Sequence, residues 1–294
     1  MANLRDVRLR MKAIGQTLQV TKAMNLISTA KLRKGRRLLE DTVPYFNRIQ
    51  KTLSDLLKSA GTFHSGYLKK SSGGRTAIVV VTSDKGLAGG YNANIVRFVL
   101  NRCKEVENPV LILVGAIGQR YFVNSPYMVL ENFTFGGRIP TIEDAHEISE
   151  YIISQFDWGV FSEVRLVYTH MYSTLKLLPS EKLILPFDEK KMRESSAGSP
   201  FDSNPSKQYN FEYLPSIEEV FDSLAPLYLK GIIYGCLVEA YASEQSARMS
   251  AMDEASRNGE EMLEKQQLYY NRVRQAGITQ EVTEIVSGSA ALLE

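Results

Sequence analysis

The segment Thr82-Ser83-Asp84-Lys85-Gly86-Leu87-Ala88-Gly89-Gly90-Tyr91 concentrates three glycines, a carboxylate, a lysine and three hydroxyls between a strand-like run and a helical pattern. At such a junction the backbone N–H groups of a glycine-rich turn cradle phosphate. The segment nevertheless has neither the GxxxxGK[ST] spacing of a P-loop nor a GxGxxG, so its glycines are read as serving a tight turn. His64, His146 and His170 are scattered and form no HxxxH or HExxH pair. Cys103 and Cys236 lie far apart in no CxxC or zinc-type spacing, which fits a reducing compartment and free thiols. No GxSxG nucleophile motif occurs, and the pairs Glu218-Glu219 and Glu260-Glu261 fall on helical pattern, where a solvated face explains them. No catalytic, cofactor-binding or metal-ligating residue is assigned from these signals, and a nucleotide-dependent enzyme is retained only as a competing reading.

The elements that would carry any chemistry fall into two long terminal arms and a middle. From about Ala2 to Lys58, Leu4, Val7, Met11, Ile14 and Leu18 alternate by three and four, the heptad spacing of a narrow seam suited to one partner helix. The pattern thins over Lys31–Arg37 and resumes at Phe46, Ile49, Leu53 and Leu56, with Pro44 expected to kink or interrupt it. From about Ser216 to Glu294 a second arm carries Ile217, Phe221, Leu224 and Tyr228, then Val238, Ala242, Met249 and Met252, then Leu263, Tyr270 and Val273. Glycine inside a helix costs about 1 kcal/mol relative to alanine, so Gly231, Gly235 and Gly259 are expected where a neighbouring helix comes close. Methionines Met24, Met249 and Met252 read as adaptable filler of the seam.

Charge separates the same parts. The chain of 294 residues has a net charge of +2, yet residues 1–58 hold thirteen Lys/Arg against four Asp/Glu, and residues 212–294 hold six against fourteen. A basic arm alone would suggest nucleic acid. Here an acidic arm is available to answer it, and pairing of the two arms is the reading preferred over nucleic-acid binding. No stretch is read as a membrane-spanning helix, nor Met1-Ala2-Asn3-Leu4-Arg5-Asp6 as a signal peptide, so membrane association is expected only through a partner.

Between the arms the period changes. Thr76–Val81, Val110–Val114, Val164–Tyr168 and Leu183–Pro186 read as strands, and Ala93–Glu107, Gly118–Asn124 and Thr141–Phe156 as helices. Such alternation implies a mostly parallel α/β sheet. The run Ser71-Ser72-Gly73-Gly74 marks its entry and the polar run Ser195–Lys207 a flexible loop at its exit. The expected divisions are an amino-terminal coiled-coil helix over 1–58, an α/β domain over 75–190, a loop over 191–211 and a carboxy-terminal coiled-coil helix over 212–294.

Three blocks carry a family resemblance. Leu4-Arg5-Asp6-Val7-Arg8-Leu9-Arg10-Met11, continued by Val20-Thr21-Lys22-Ala23-Met24 and Ser28-Thr29-Ala30-Lys31-Leu32-Arg33-Lys34, resembles the opening of F-type ATP synthase gamma subunits of bacterial type. Thr82–Asn92 looks like that family's Ser-Asp-(Lys/Arg)-Gly-Leu-Cys-Gly-Gly segment. Tyr241-Ala242-Ser243-Glu244-Gln245-Ser246-Ala247-Arg248-Met249-Ser250-Ala251-Met252 and the stretch Tyr270–Gly288 resemble its carboxy-terminal signature.

The resemblance implies a long antiparallel two-helix coiled coil formed by both termini, with a central Rossmann-like α/β domain. It further implies a central rotary stalk, not itself an enzyme, that couples ion-driven rotation of a membrane ring to conformational cycling of catalytic beta subunits. Its implied partners are an alpha3beta3 ring, an epsilon subunit and the c-ring, on the cytoplasmic face of a bacterial membrane. Positions matching the family's inter-arm and ring contacts are Lys22 and Met24 on the first arm and Arg248, Arg274, Gln275, Thr279 and Glu281 on the second. Tyr213 matches the foot contact to the membrane ring. The chain departs from the pattern at Ala88, where the family has cysteine, and at Tyr213-Leu214-Pro215, where bacterial relatives often read Tyr-Glu-Pro. A non-rotary coiled-coil scaffold or tether would share every periodicity above.

Overall fold

The computed structural model describes residues 4–59, 64–69, 73–194 and 213–291. Its elements, in chain order, are α1 (Leu4–Ser59), β1 (Arg75–Val81), α2 (Tyr91–Glu105), β2 (Pro109–Val114), α3 (Ala116–Phe122), β3 (Met128–Phe133), α4 (Ile142–Asp157), β4 (Phe161–Met171), β5 (Leu177–Leu185), α5 (Glu189–Glu194) and α6 (Ile217–Ala291). They divide into two compact units. One comprises residues 1–29 and 248–294, the other residues 30–247. The polar run read as a loop over Ser195–Lys207 lies outside the described residues.

The larger unit is built on a five-stranded sheet of order β3-β2-β1-β4-β5. β1 to β4 run parallel, and β5 returns antiparallel on β4. Side chains of a strand alternate between the two faces, and here each face has its own core. Ala77, Val79 and Val81, with Val110, Ile112 and Val114, pack under Ile148 and Ile152 of α4, Leu53, Leu56 and Leu57 of α1, and Phe221, Leu229 and Ile233 of α6. On the other face Ile78, Val80, Leu111 and Leu113 meet Ile95, Val99 and Cys103 of α2 and Phe122 of α3. Each of these side chains, buried whole, contributes roughly 1.5–3 kcal/mol. Two such faces are what the near-continuous apolar runs of β1 and β2 require.

Several expectations are corrected here. β3, at the edge of the sheet, is not expected from the sequence, because its apolar run stops at Leu130, Glu131 and Asn132 follow, and only Phe133 is fully buried. β5 begins at Leu177, well before Leu183: an edge strand tolerates Pro179, and Glu181 is held by Arg102 and Arg165. Pro44 does not interrupt α1, which continues as helix to Ser59. Beyond it, Leu53, Leu56 and Leu57 are anchored in the core, and that burial outweighs the roughly 3 kcal/mol a proline costs inside a helix. α6 likewise continues through Pro226 and, within Ile217–Ser287, includes one window long and apolar enough to cross a membrane, half of it buried in the fold. This differs from the expectation that no stretch is apolar enough to span a membrane. The apolar residues of α6 include those packed on the sheet, Phe221, Ala225, Leu229 and Ile233.

Of the three arm glycines, Gly231 in this unit meets the expectation most sharply. A Cβ there would lie 2.0 Å from Cδ1 of Phe46, so the ring sits in the space that a side chain would need. Gly235 has open space around it and serves no close approach.

α4 begins with a capping box: the Asp144 backbone N–H donates to the Thr141 hydroxyl, and the Thr141 N–H donates to the Asp144 carboxylate at 2.8 Å. Arg138 adds two bonds to the same carboxylate, of 2.6 and 2.5 Å. Burial pushes the Asp144 pKa up, but the Arg138 and Thr141 hydrogen bonds outweigh it, and the carboxyl titrates below its ordinary value. A pKa lower in the folded than in the unfolded chain gives stability that is present above the ordinary carboxylate value, about 4, and is lost as pH falls through the folded value. Arg138→Ala is therefore expected to remove about 1 kcal/mol at neutral pH, since Arg138 is half exposed and screened. It should also flatten the acid limb of a melting-temperature profile from pH 7 downward. An unaltered acid limb would rule this pair out as its source.

Candidate coupling surface

The smaller unit is a helix pair. On α1 the covered positions are Leu4, Val7, Met11, Ile14, Leu18, Thr21, Asn25 and Ser28, alternating by three and four throughout. On α6 they are Met252, Ser256, Gly259, Leu263, Gln266, Tyr270, Val273 and Gly277, with the same alternation. Contacts run in opposite senses along the two helices: Arg8 donates to the Tyr270 hydroxyl at 2.9 Å, Leu18 abuts Gly259, Thr21 bonds Ser256 at 2.8 Å, and Asn25 donates to the Met249 carbonyl at 3.1 Å. The pair is antiparallel. At Gly259 a Cβ would come within 2.9 Å of Leu18 Cδ1, so the glycine lets the two helices approach here without that side chain having to shift.

The heptad reading thus extends further along α1 than the apolar residues reveal. Its last three covered positions are Thr21, Asn25 and Ser28, invisible to a search for hydrophobic periodicity. Lys22 lies outside the seam and pairs with Glu260 at 2.6 Å, both half exposed. Such a pair contributes no more than about 1 kcal/mol, so the opposite charge of the arms favours the pairing without being its main support.

The register places Leu4 beside Val273, and α6 continues past that point to Ala291. Over residues 278–287 every side chain is exposed. Arg274, Gln275, Thr279 and Glu281 all lie on this extension or at its start, and all are exposed. The Thr279 hydroxyl donates back to the Gln275 carbonyl at 2.9 Å. Ile278, Val282 and Ile285, spaced by four and three, form an apolar stripe with no helix against it among the described residues of this unit; Ile285 is 71% exposed and the other two are each 53% exposed. No apolar residue of this stripe was singled out in the sequence, although its spacing is there to be read. Met24 is half-buried at the flank of the seam, and Arg248 is buried. Tyr213 belongs to the larger unit, where it packs against the core shared by α1, α4 and α6, while its neighbour Leu214 is exposed.

The glycine-rich segment after β1 is occupied by its own fold. Asp84 accepts from three backbone N–H groups: Ala116 at 3.0 Å, Phe135 at 3.1 Å and Gly137 at 2.7 Å. It thereby ties together the turns that follow β1, β2 and β3. Asn92 and Ser83 close the segment through bonds of 2.7 to 3.1 Å. Gly115, at φ +100, lets the β2 turn approach to where a Cβ would be 2.3 Å from the Thr82 carbonyl oxygen. Among the described residues, no group of three or more His, Cys, Asp or Glu is placed to hold a metal. Burial pushes the thiol of Cys103 up to about 11, as it does that of Cys236, leaving neither as a ready nucleophile.

A family described as ATP synthase matches residues 3–292 of the chain. The ATP synthase gamma chain of Ruminiclostridium cellulolyticum is 41% identical over 294 residues, covering 99% of each chain. This chain belongs to the ATP synthase gamma-chain family. Another member, the sodium-ion-specific ATP synthase gamma chain of Acetobacterium woodii, is 35% identical over 298 residues, again covering 99% of each. Among solved structures, the fold is shared with a chain of the central stalk and c-ring of Tetrahymena thermophila mitochondrial ATP synthase, at TM-score 0.61 and 23% identity over 81% of this chain and 99% of that one. It is shared too with a chain of Euglena gracilis mitochondrial ATP synthase, at TM-score 0.65 and 18% identity over 98% and 94%. The gamma-chain resemblance of the three motif blocks therefore spans the chain, and the departures at Ala88 and Leu214 are variations within the family.

Proposed function

We propose that the chain is the central rotary stalk of an F-type ATP synthase, and that the exposed end of α6 is where it works inside its ring of alpha and beta subunits. The observation that carries this is the extension of α6 beyond its partner helix, with an uncovered stripe at Ile278, Val282 and Ile285. A helix that gains nothing from its own fold at these positions keeps apolar side chains for something outside it. Arg274 and Gln275 at the root of the extension suit carboxylates of a beta subunit, since a guanidinium grips a carboxylate with two parallel bonds. Lys22, Met24, Arg248, Thr279 and Glu281 complete the contact set, and Tyr213 with exposed Leu214 supplies the contact to the c-ring.

The chain's contribution is mechanical, with the nucleotide chemistry residing in other subunits. A stalk biases a beta subunit only so far as it touches that subunit's alternative conformations differently, and a helix pair that presents different residues on each side does this as it turns. The engagement of Asp84 and Ser83 by the fold's own backbone supports the absence of a nucleotide site in the α/β domain. An epsilon subunit and attachment to the cytoplasmic face of a bacterial membrane through the c-ring follow from the same reading.

Replacing Ile278, Val282 and Ile285 together with aspartate tests it. The isolated chain is expected to keep its stability within about 0.5 kcal/mol, because these side chains are exposed. Assembly with alpha and beta subunits, or coupled synthesis by the complex, should fall about tenfold or more, the effect of losing 1.4 kcal/mol or more of contact. Arg274→Ala should lower coupling in the same assay. Full assembly and synthesis with all four substitutions would sink the placement of the contact surface.

A further inference from the structure

The sheet order β3-β2-β1-β4-β5 makes a topological switch between β1 and β4, and the crevice beyond the carboxyl ends of those strands is where doubly wound sheets take their ligands. Here α6 lies in it. The Tyr91 hydroxyl, from the end of the segment after β1, donates to the Ala240 carbonyl at 3.1 Å. Ser243, fully buried, donates to the Thr169 carbonyl at the end of β4 at 2.9 Å. Ser246, also fully buried, donates to the Thr174 carbonyl in the turn beyond β4 at 2.9 Å. The Glu239 carboxylate accepts from the Met171 backbone N–H at 3.2 Å and meets His170 Nδ1 at 2.5 Å.

Positions 239, 243 and 246 are spaced by four and three, which sets them on one face of the helix, one turn above another. Their partners are main-chain groups at the end of β4 and in the turn beyond it, with the His170 side chain as a further partner of Glu239. Serine is the shortest side chain that carries a donor, so these bonds form only while the helix backbone lies close against the sheet edge. Turning α6 about its own axis by even one residue, about 100°, would carry all of them out of reach together.

We infer that Glu239, Ser243 and Ser246 are the positioning residues that pass torque between the α/β domain and α6, in the crevice where other doubly wound sheets bind ligands. This rests on the rotary reading above. The full-length chain assembled with its alpha3beta3 ring, and in vesicles with the membrane ring, provides the test. Ser243→Ala/Ser246→Ala is expected to leave ATP hydrolysis by the detached ring complex near the parent rate. The angular variance of a bead fixed to the α/β domain of the stalled complex should rise above that of the parent complex. Ions pumped per ATP in vesicles should fall with it. Glu239→Gln keeps the side chain's volume and decides by the same readouts if the serine pair lowers assembly. Unchanged variance and pumping ratio in a fully assembled complex, whether or not the melting temperature drops, would overturn the assignment to torque. Failure of the parent chain to assemble or support hydrolysis would instead sink the rotary reading itself.

Discussion

Gly231→Val is expected to lower the stability of the chain by about 3 kcal/mol or more, through overpacking of a filled site. The first carbon of any side chain at 231 would fall 2.0 Å from Phe46 Cδ1 and 2.4 Å from Cε1, well inside contact distance. Phe46 cannot simply swing away, because Tyr45 stands edge-on to it at 5.2 Å and Tyr234 is tilted against it at 6.2 Å. Helix propensity works the other way, since replacing glycine by alanine in a helix gains about 1 kcal/mol. Alanine should therefore be the milder variant and valine the severe one. Phe46→Ala alone should cost about 3 kcal/mol as a large-to-small change, yet combined with Gly231→Ala it should cost less than the two single changes added. Denaturant melts of the four chains make the cycle. Strict additivity would show that the glycine is not there for the ring.

Asp84→Ala should cost about 3–5 kcal/mol, because one carboxylate accepts three backbone N–H bonds and bonds to a charged group are each worth roughly 1.5–3 kcal/mol. The loss is not confined to the segment after β1. Gly137, one of the three donors, offers its carbonyl to Lys31 Nζ of α1 at 3.4 Å, and the neighbouring Arg138 binds Asp144 at the start of α4. Loosening the turn that bears both should therefore free α1 from the loop and weaken the α4 cap. Asp84→Asn, which retains one acceptor, is expected to lose about half as much by the same count of bonds. Hydrogen exchange at the amides of Ala116, Phe135 and Gly137 reads the effect directly. Protection in Asp84→Ala equal to that of the parent would remove this carboxylate from its organising role.

Asp84 also shows where the sequence stops being informative. Ser-Asp-Lys-Gly in a glycine-rich turn after a strand announces that the backbone needs unusual freedom and that a carboxylate is close. It does not say that the acceptors are filled by two other turns, from residues 116 to 137, because that requires three loops to be brought to one edge. β1 and β2 are legible because both of their faces are buried and each residue of the run is apolar. β3 and the first half of β5 are not, since an edge strand's pairing is a property of its neighbour. The seam of α1 reads clearly while it is Leu, Val, Met and Ile, and disappears at Thr21, Asn25 and Ser28, which are polar; Thr21 bonds the Ser256 hydroxyl and Asn25 the Met249 carbonyl across the helices. The stripe at Ile278, Val282 and Ile285 had the right spacing, but apolar spacing alone does not distinguish a covered face from an uncovered one.

Those polar seam positions have a geometrical consequence. If α6 slid along α1 by one heptad, Thr21 would leave the Ser256 hydroxyl for the apolar side chain of Leu263 or Met249. Each buried polar group so stranded costs about 1–3 kcal/mol, and the shift would also drive Leu18 off Gly259 onto a residue with a side chain. The helix pair therefore behaves as a ruler with one permitted setting. The length of α6 that stands free beyond α1 is a dimension written in three small polar side chains and a glycine, held the same in every copy of the molecule.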